Sequence, residues 1–198
     1  MPAIFGGERA SSSLVDIRPL ALAGLIEILP RKFGDDRGFF SETWNRRALL
    51  DTGIDLDFVQ DNHSLSAARG VVRGMHFQVP PVAQDKLVRV SRGAIFDVAV
   101  DLRRDSPHFG KWAGLVVSAE RWNQLLIPKG FAHGFVTLEE NTEVQYKVTA
   151  PYSADHERSF RFDDAQIGIE WPVEGALQLS EKDRSAPKFA DTELPDRW

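Results

Sequence analysis

The sequence predicts an all-β fold, a sandwich or barrel of short strands. Three observations carry that expectation. Short β-prone runs broken by Gly, Pro, Asp and Asn follow one another from Leu25 to Phe162. One of them alternates cleanly, with Phe96, Val98, Val100 and Leu102 on one face and Asp97, Ala99 and Asp101 on the other. A single segment, Asn45–Thr52, reads as helix, closed by Gly53 where a left-handed cap belongs.

In chain order, the expected strands begin with Ile26–Leu29, Phe39–Trp44, Phe58–Leu65 and Val71–Gln78. Lys86–Val90, Ala94–Leu102, Trp112–Ser118 and Asn123–Ile127 follow. Phe131–Leu138, Thr142–Val148 and Ser159–Phe162 complete the set. Asp36-Arg37-Gly38 and Ser106-Pro107 supply turns, and Glu139-Glu140-Asn141-Thr142 joins two strands as a hairpin loop does. Past Phe162 the pattern loosens around Trp171-Pro172, Ala186-Pro187 and Leu194-Pro195. That part is expected to wrap the barrel as loops and short helical turns. Residues 1–13, with Gly6-Gly7 and Ser11-Ser12-Ser13, read as a flexible N-terminal tail, and residues 14–198 as one domain.

Composition bounds the function. The chain has 198 residues, 42% of them hydrophobic, including 13 Phe and 5 Trp, enough to bury a core and to exclude wholesale disorder. The net charge of −5 disfavours nucleic acid as a partner. Apolar stretches such as Leu20–Ile26 fall short of a membrane span, and the first residues lack a signal-peptide pattern. There is no cysteine, which removes disulfides and thiolate metal sites and makes the cytoplasm the expected location. No Gly-x-Gly-x-x-Gly fingerprint points to a dinucleotide.

Pro128-Lys129-Gly130-Phe131-Ala132-His133 has the spacing Pro-x-Gly-x-x-His, a turn leading into a strand that carries a histidine. It resembles the second motif of the cupins, small jelly-roll barrels. The resemblance implies a cupin-like double-stranded β-helix (jelly roll) with a few short peripheral helices. Many cupins bind a metal with a His-x-His pair on an earlier strand. Here that strand reads Met75-His76-Phe77-Gln78, so Gln78 replaces the second histidine. His76 and His133 alone fall short of a metal ligand set, and neither metal nor cofactor is expected.

A closer resemblance runs in one unbroken order from Val15 to Pro187. It rests on Asp36–Glu42, Gln60–Ser64, Gly70–Gln78, Gln84–Val90 and Asp97–Arg103. Ser106–Gly110, Gly130–Phe135, Val144–Lys147, Ile169–Pro172 and Leu179–Asp183 extend it. Together these segments resemble the dTDP-4-dehydrorhamnose 3,5-epimerase family. The resemblance implies conversion of dTDP-4-dehydro-6-deoxy-D-glucose to dTDP-4-dehydro-L-rhamnose by proton removal and return at C3 and C5, without a cofactor.

The resemblance also implies roles. His76 is the base, oriented by Asp183; Tyr146 is the acid on the opposite face; Lys86 stabilises charge on the C4 oxygen. A histidine suits the first role because its ordinary pKa lies near neutrality. Arg37, Glu42, Gln60, Asn62, Arg73, His133, Glu157 and Lys182 are implied substrate contacts. Tyr152 lies where the family stacks a ring on the thymine, and a homodimer is implied, with Arg37–Glu42 reaching the neighbouring site.

Arg73 and His76, three apart, point to opposite faces of a flat strand, so a bulge at Gly74 is expected. His63 reads as a turn or loop hydrogen bonder, His108 and His156 as exposed, and Asp97 and Asp101 as solvated or edge-paired carboxylates. Two other readings stand beside the double epimerase. One is a C3-only epimerase or ketoisomerase on a related dTDP-sugar; the other is a jelly roll that binds a nucleotide sugar without chemistry.

Overall fold

A computed structural model describes residues 15–198; the expected tail, residues 1–13, lies outside them. The first strands are β1 (Val15–Pro19), β2 (Ile26–Pro30), β3 (Phe33–Asp35) and β4 (Gly38–Phe40). After helix α1 (Arg46–Leu50) come β5 (Gln60–Ser66), β6 (Val72–Gln78), β7 (Lys86–Arg92) and β8 (Ala94–Asp101). Next are β9 (Trp112–Ser118), β10 (Gln124–Ile127), β11 (Phe131–Thr137) and β12 (Thr142–Val148). The short β13 (Glu157–Ser159) and helix α2 (Glu181–Arg184) complete the regular elements. Among the described residues no helix is long and apolar enough to cross a membrane.

Two antiparallel sheets face each other, as in a jelly roll. One runs β1-β2-β10-β7-β12-β5, the other β13-β6-β11-β8-β9, and β3 and β4 form a separate hairpin. Alternation places the side chains. On β8, Ile95 and Ala99 enter the core between the sheets, while Val98 and Val100 enter a second cluster on the outer face of their sheet. That second cluster is covered from the C-terminal side by Phe160, Ile167 and Phe189. A third, around Ile28, Leu87 and Leu126, is covered by Leu49 of α1 and by Trp44, Ile54 and Phe58.

Most strand expectations hold to within two residues at each end, and several differences have physical causes. Phe39–Trp44 is strand only to Phe40, because the chain then runs to Asn45, whose side chain caps α1 by accepting from the Arg47 and Ala48 amides. α1 is shorter than the expected Asn45–Thr52, and Gly53 follows it at φ 89°. The late strand sits at Glu157–Ser159 rather than Ser159–Phe162, since Phe160 is drawn into the apolar cover. β1 was not legible: Asp16, Arg18 and Pro19 mark it as an exposed edge strand with little apolar signal.

The bulge falls where Gly74 predicts it. His133 pairs with His76 and Phe135 with Arg73, so three residues of β6 span two of β11. Gly74 has φ 134°, and a Cβ there would lie 2.5 Å from the Gly134 Cα. The extra residue returns Arg73 and His76 to one face, and Met75 and Phe77 go to the outer cluster.

Candidate active site

The open end of the barrel holds a cavity of about 610 Å³, within the usual range for small-molecule sites. Each sheet contributes side chains by alternation. β5 presents Gln60 and Asn62, β7 presents Lys86, and β12 presents Tyr146. From the opposite sheet β6 presents Arg73 and His76, β11 presents His133, and β13 presents Glu157. Tyr152 and Asp183 complete the expected set at the cavity. His76 and Tyr146 therefore line one cavity from opposing sheets.

Asp183 stands 107 positions from His76, and backbone pairing brings them together. The Val72 amide donates to the Gln178 carbonyl and the Gln178 amide to the Gly70 carbonyl, laying the approach to α2 beside β6. The Ser180 hydroxyl then caps α2, accepting from the Asp183 amide at 3.1 Å and donating to its Oδ2 at 2.8 Å. Asp183 Oδ1 lies 2.6 Å from His76 Nε2. A carboxylate acceptor holds the imidazole proton on Nε2 and leaves the lone pair on Nδ1. Burial pushes the Asp183 carboxyl up, but His76, Ser180 and the Gly74 amide together hold it below the usual range.

Lys86 is buried, and burial is the main cause that lowers its pKa to about 8, against the pull of the Asp97 and Glu157 charges. Its ammonium makes one long contact, 3.4 Å to the His76 carbonyl. Burial raises the Tyr146 phenol, Glu157 adds to that, and Arg73 opposes it, so the phenol is a proton donor at neutral pH. Arg73 touches only the Ser66 hydroxyl and the Leu65 carbonyl, both at 3.4 Å, and has no carboxylate partner among the described residues. At the mouth, the Tyr152 hydroxyl donates to Glu157 at 2.8 Å, its amide donates to Gln60 at 3.0 Å, and Lys182 Nζ lies 2.5 Å from Glu157.

Three expected contacts do not line this chain's cavity. Arg37 and Glu42 belong to the β3–β4 hairpin and the residues after it, with Arg37 exposed and paired to Asp35. Lys182 touches the cavity only through Glu157. Two expectations about carboxylates are corrected: Asp97 and Asp101 are neither solvated nor edge-paired but have no exposed surface. Asp97 Oδ1 lies 2.6 Å from His133 Nε2, and Asp101 bonds Arg103 and Ser106. Alternation put both on the inner face; the partners of Asp101 are its near neighbours in sequence, but that of Asp97 lies 36 residues on, where no local pattern shows it. Gln78, in the place of the second cupin histidine, bonds the Val82 and Pro151 carbonyls and the Ser153 amide. It ties loops at the cavity edge. Among the described residues no three His, Cys, Asp or Glu side chains gather as a metal site.

The sequence profile of the dTDP-4-dehydrorhamnose 3,5-epimerase family matches residues 19–191. A relative of that name from Sinorhizobium fredii is 53% identical over 176 residues, covering 89% of each chain. The Bacillus anthracis enzyme of that name, solved with TDP and pyrophosphate bound, is 48% identical with a TM-score of 0.85, over 88% of this chain and 99% of its own. A Legionella pneumophila dTDP-6-deoxy-D-glucose-3,5-epimerase in complex with dTDP-4-keto-L-rhamnose is 41% identical with a TM-score of 0.88, over 93% of this chain and 98% of its own. Fold, cavity and sequence agree, and the chain belongs to the dTDP-4-dehydrorhamnose 3,5-epimerase family.

Proposed function

We propose that this cavity performs the family's 3,5-epimerisation, taking dTDP-4-dehydro-6-deoxy-D-glucose to dTDP-4-dehydro-L-rhamnose in dTDP-L-rhamnose synthesis. One observation carries the reading: an oriented imidazole and a protonated phenol enter the same cavity from opposing sheets, with a buried ammonium on the strand beside the phenol's. His76 Nδ1 removes the proton from C3, and the C–H electron pair moves into the C3–C4 bond while the carbonyl pair moves onto the C4 oxygen. Lys86 stabilises that enolate. Tyr146 returns a proton to the other face, the enolate reforms the ketone, and exchange with solvent resets both side chains. The same sequence follows at C5. No oxidation state changes.

Tyr152 offers a stacking platform to the thymine, and Gln60 and Asn62 lie beside it. Arg73, Lys182 and Arg37 meet the diphosphate, and Glu42, His133 and Glu157 complete the substrate contacts. Arg37 and Glu42 reach the site only in a homodimer, each hairpin serving the neighbouring subunit. The exposed rings of Phe33, Phe39 and Phe40 on that hairpin support such a contact. The C-terminal segment shares an apolar cluster with β6 and β8, which supports one domain for residues 14–198, and a soluble nucleotide sugar is suited to a cytoplasmic enzyme.

The reaction in heavy water, followed by NMR, tests the chemistry. Deuterium is expected at both C3 and C5. Uptake at C3 alone selects the C3-only epimerase, and binding without exchange selects the non-catalytic jelly roll. Mixing Arg37→Ala with His76→Ala chains tests the dimer. Each is expected to be weak alone, and random re-pairing restores about a quarter of wild-type activity, since half the dimers carry one intact site. A fully active monomer by light scattering removes the dimer from the scheme.

A further inference from the structure

Among the described residues, Asp97 is the buried carboxylate with an oxygen left unpaired. It has no exposed surface; one carboxylate oxygen bonds His133 Nε2 at 2.6 Å, and the other has no hydrogen-bond partner. A buried carboxylate with an unmatched oxygen weakens a fold, and an apolar residue of similar size would cost less. Its surroundings suggest a use. Asp97 on β8 and His133 on β11 lie in one sheet, and Lys86 on β7 faces them from the other. The Asp97 charge acts on Lys86, yet the two make no ion pair within 4.0 Å. The Lys86 ammonium thus has a counter-charge without a contact.

His133 explains the separation. By occupying Asp97 Oδ1, it anchors the carboxylate to its own sheet and keeps it from closing onto the ammonium. A direct pair would consume the donors that an anionic oxygen needs; no negative charge at all would leave the ammonium to be neutralised by burial. We propose that Asp97 is a positioning residue, a counter-charge held off by His133 so that Lys86 stays cationic and free to meet a developing oxyanion. This rests on the reading that Lys86 serves the C4 oxygen.

Other groups act on the same pair. Glu157 supports the Lys86 charge, while Lys86 and His76 both disfavour a charged His133; burial leads in lowering His133, so it is a neutral donor to Asp97 near pH 7. Tyr146 flanks Lys86 on the adjoining strand β12, opposite Val88. Asp183 is engaged with His76. Of the two carboxylates that sustain the Lys86 charge, Asp97 contributes more than Glu157.

Asp97→Asn tests this, because the amide oxygen can still accept from His133 while the charge is gone. The alkaline limb of kcat is expected to move down by about one pH unit, with kcat at pH 7.5 reduced about threefold and dTDP affinity within about twofold of wild type. In parallel, NMR of 13Cε-labelled lysine, which needs no substrate, should show the Lys86 signal titrating at lower pH in the variant. An unmoved limb together with an unmoved Lys86 titration overturns the proposal.

If Asp97→Asn does not fold, the wild-type protein decides. Long-range 1H–15N NMR is expected to find His133 neutral with its proton on Nε2, and Lys86 titrating well below an ordinary lysine. A proton on Nδ1, or a Lys86 already neutral at pH 7, overturns it. Absence of deuterium uptake by wild type would sink the epimerase mechanism alone, and the Lys86 titration would still settle the role of Asp97.

Discussion

His76 and His133 are directly paired residues on adjacent antiparallel strands, yet each imidazole is bonded to a different carboxylate, Asp183 and Asp97. The two pairs differ in access. His76 keeps about a quarter of its side-chain surface and lines the cavity, whereas His133 and Asp97 are nearly sealed. One imidazole is placed to exchange protons with a ligand, and the other is placed to hold a charge still.

His76→Asn is therefore expected to abolish turnover, and Asp183→Asn to lower kcat by about 10²- to 10⁴-fold, with dTDP binding nearly unchanged in both. Steady-state kinetics with isothermal titration of dTDP checks this. Equal losses of affinity and turnover would place the pair in binding rather than chemistry.

Tyr146→Phe separates removal of the proton from its return. Deuterium is expected to enter C3 from the His76 side while inversion slows about 100-fold or more. NMR of unconverted substrate reads the label, and a variant that inverts at the wild-type rate would disqualify the phenol as the acid.

Lys86 links stability to pH. Its folded pKa of about 8 lies below the ordinary 10.5, so the unfolded chain holds more protons between those values. Below pH 8 both states are protonated and the buried charge weakens the fold; as pH rises towards 10.5 the penalty disappears. Relative to Lys86→Met, wild type should gain about 2 kcal/mol of unfolding free energy between pH 7.5 and pH 10. Chemical denaturation at the two pH values measures it. The Met variant is expected to lose about 10²- to 10³-fold in kcat.

Gly134 and Gly74 lock the bulge. A Cβ on Gly134 would lie 2.6 Å from the Met75 sulfur and 3.0 Å from the Arg73 carbonyl, so Gly134→Ala forces β6 away from β11. The substitution is expected to destabilise the fold by about 2 kcal/mol and to lower kcat, because the displaced strand carries both Arg73 and His76. Thermal melts and rates under one buffer condition test the two effects together; a stable variant with full activity would show that the strands can part harmlessly.

What the sequence disclosed follows from the range of the forces involved. Alternation is local, so the two faces of β8 could be told apart, and the bulge was legible because parity and a glycine sit in the same short stretch. Long-range pairing is not local. Nothing near Asp97 signals His133, and two carboxylates on one strand face read locally as solvated or edge-paired groups. Asp183 came by family resemblance, since a charged run of four residues gives no sign that one member is buried. The turn at Arg37 was legible in Asp36-Arg37-Gly38, whereas Glu42, expected in a strand, lies past the end of β4, and what that stretch meets depends on contacts that no local pattern encodes.

The stitch between Gln178 and β6 ties competence to the order of synthesis. All thirteen strands of the described residues leave the ribosome before Asp183 does. A nascent chain can therefore close its barrel while its imidazole still lacks a partner. On the proposed mechanism the base is oriented only once the stretch bearing Asp183 docks, so a segment made after the barrel acts as its ignition key.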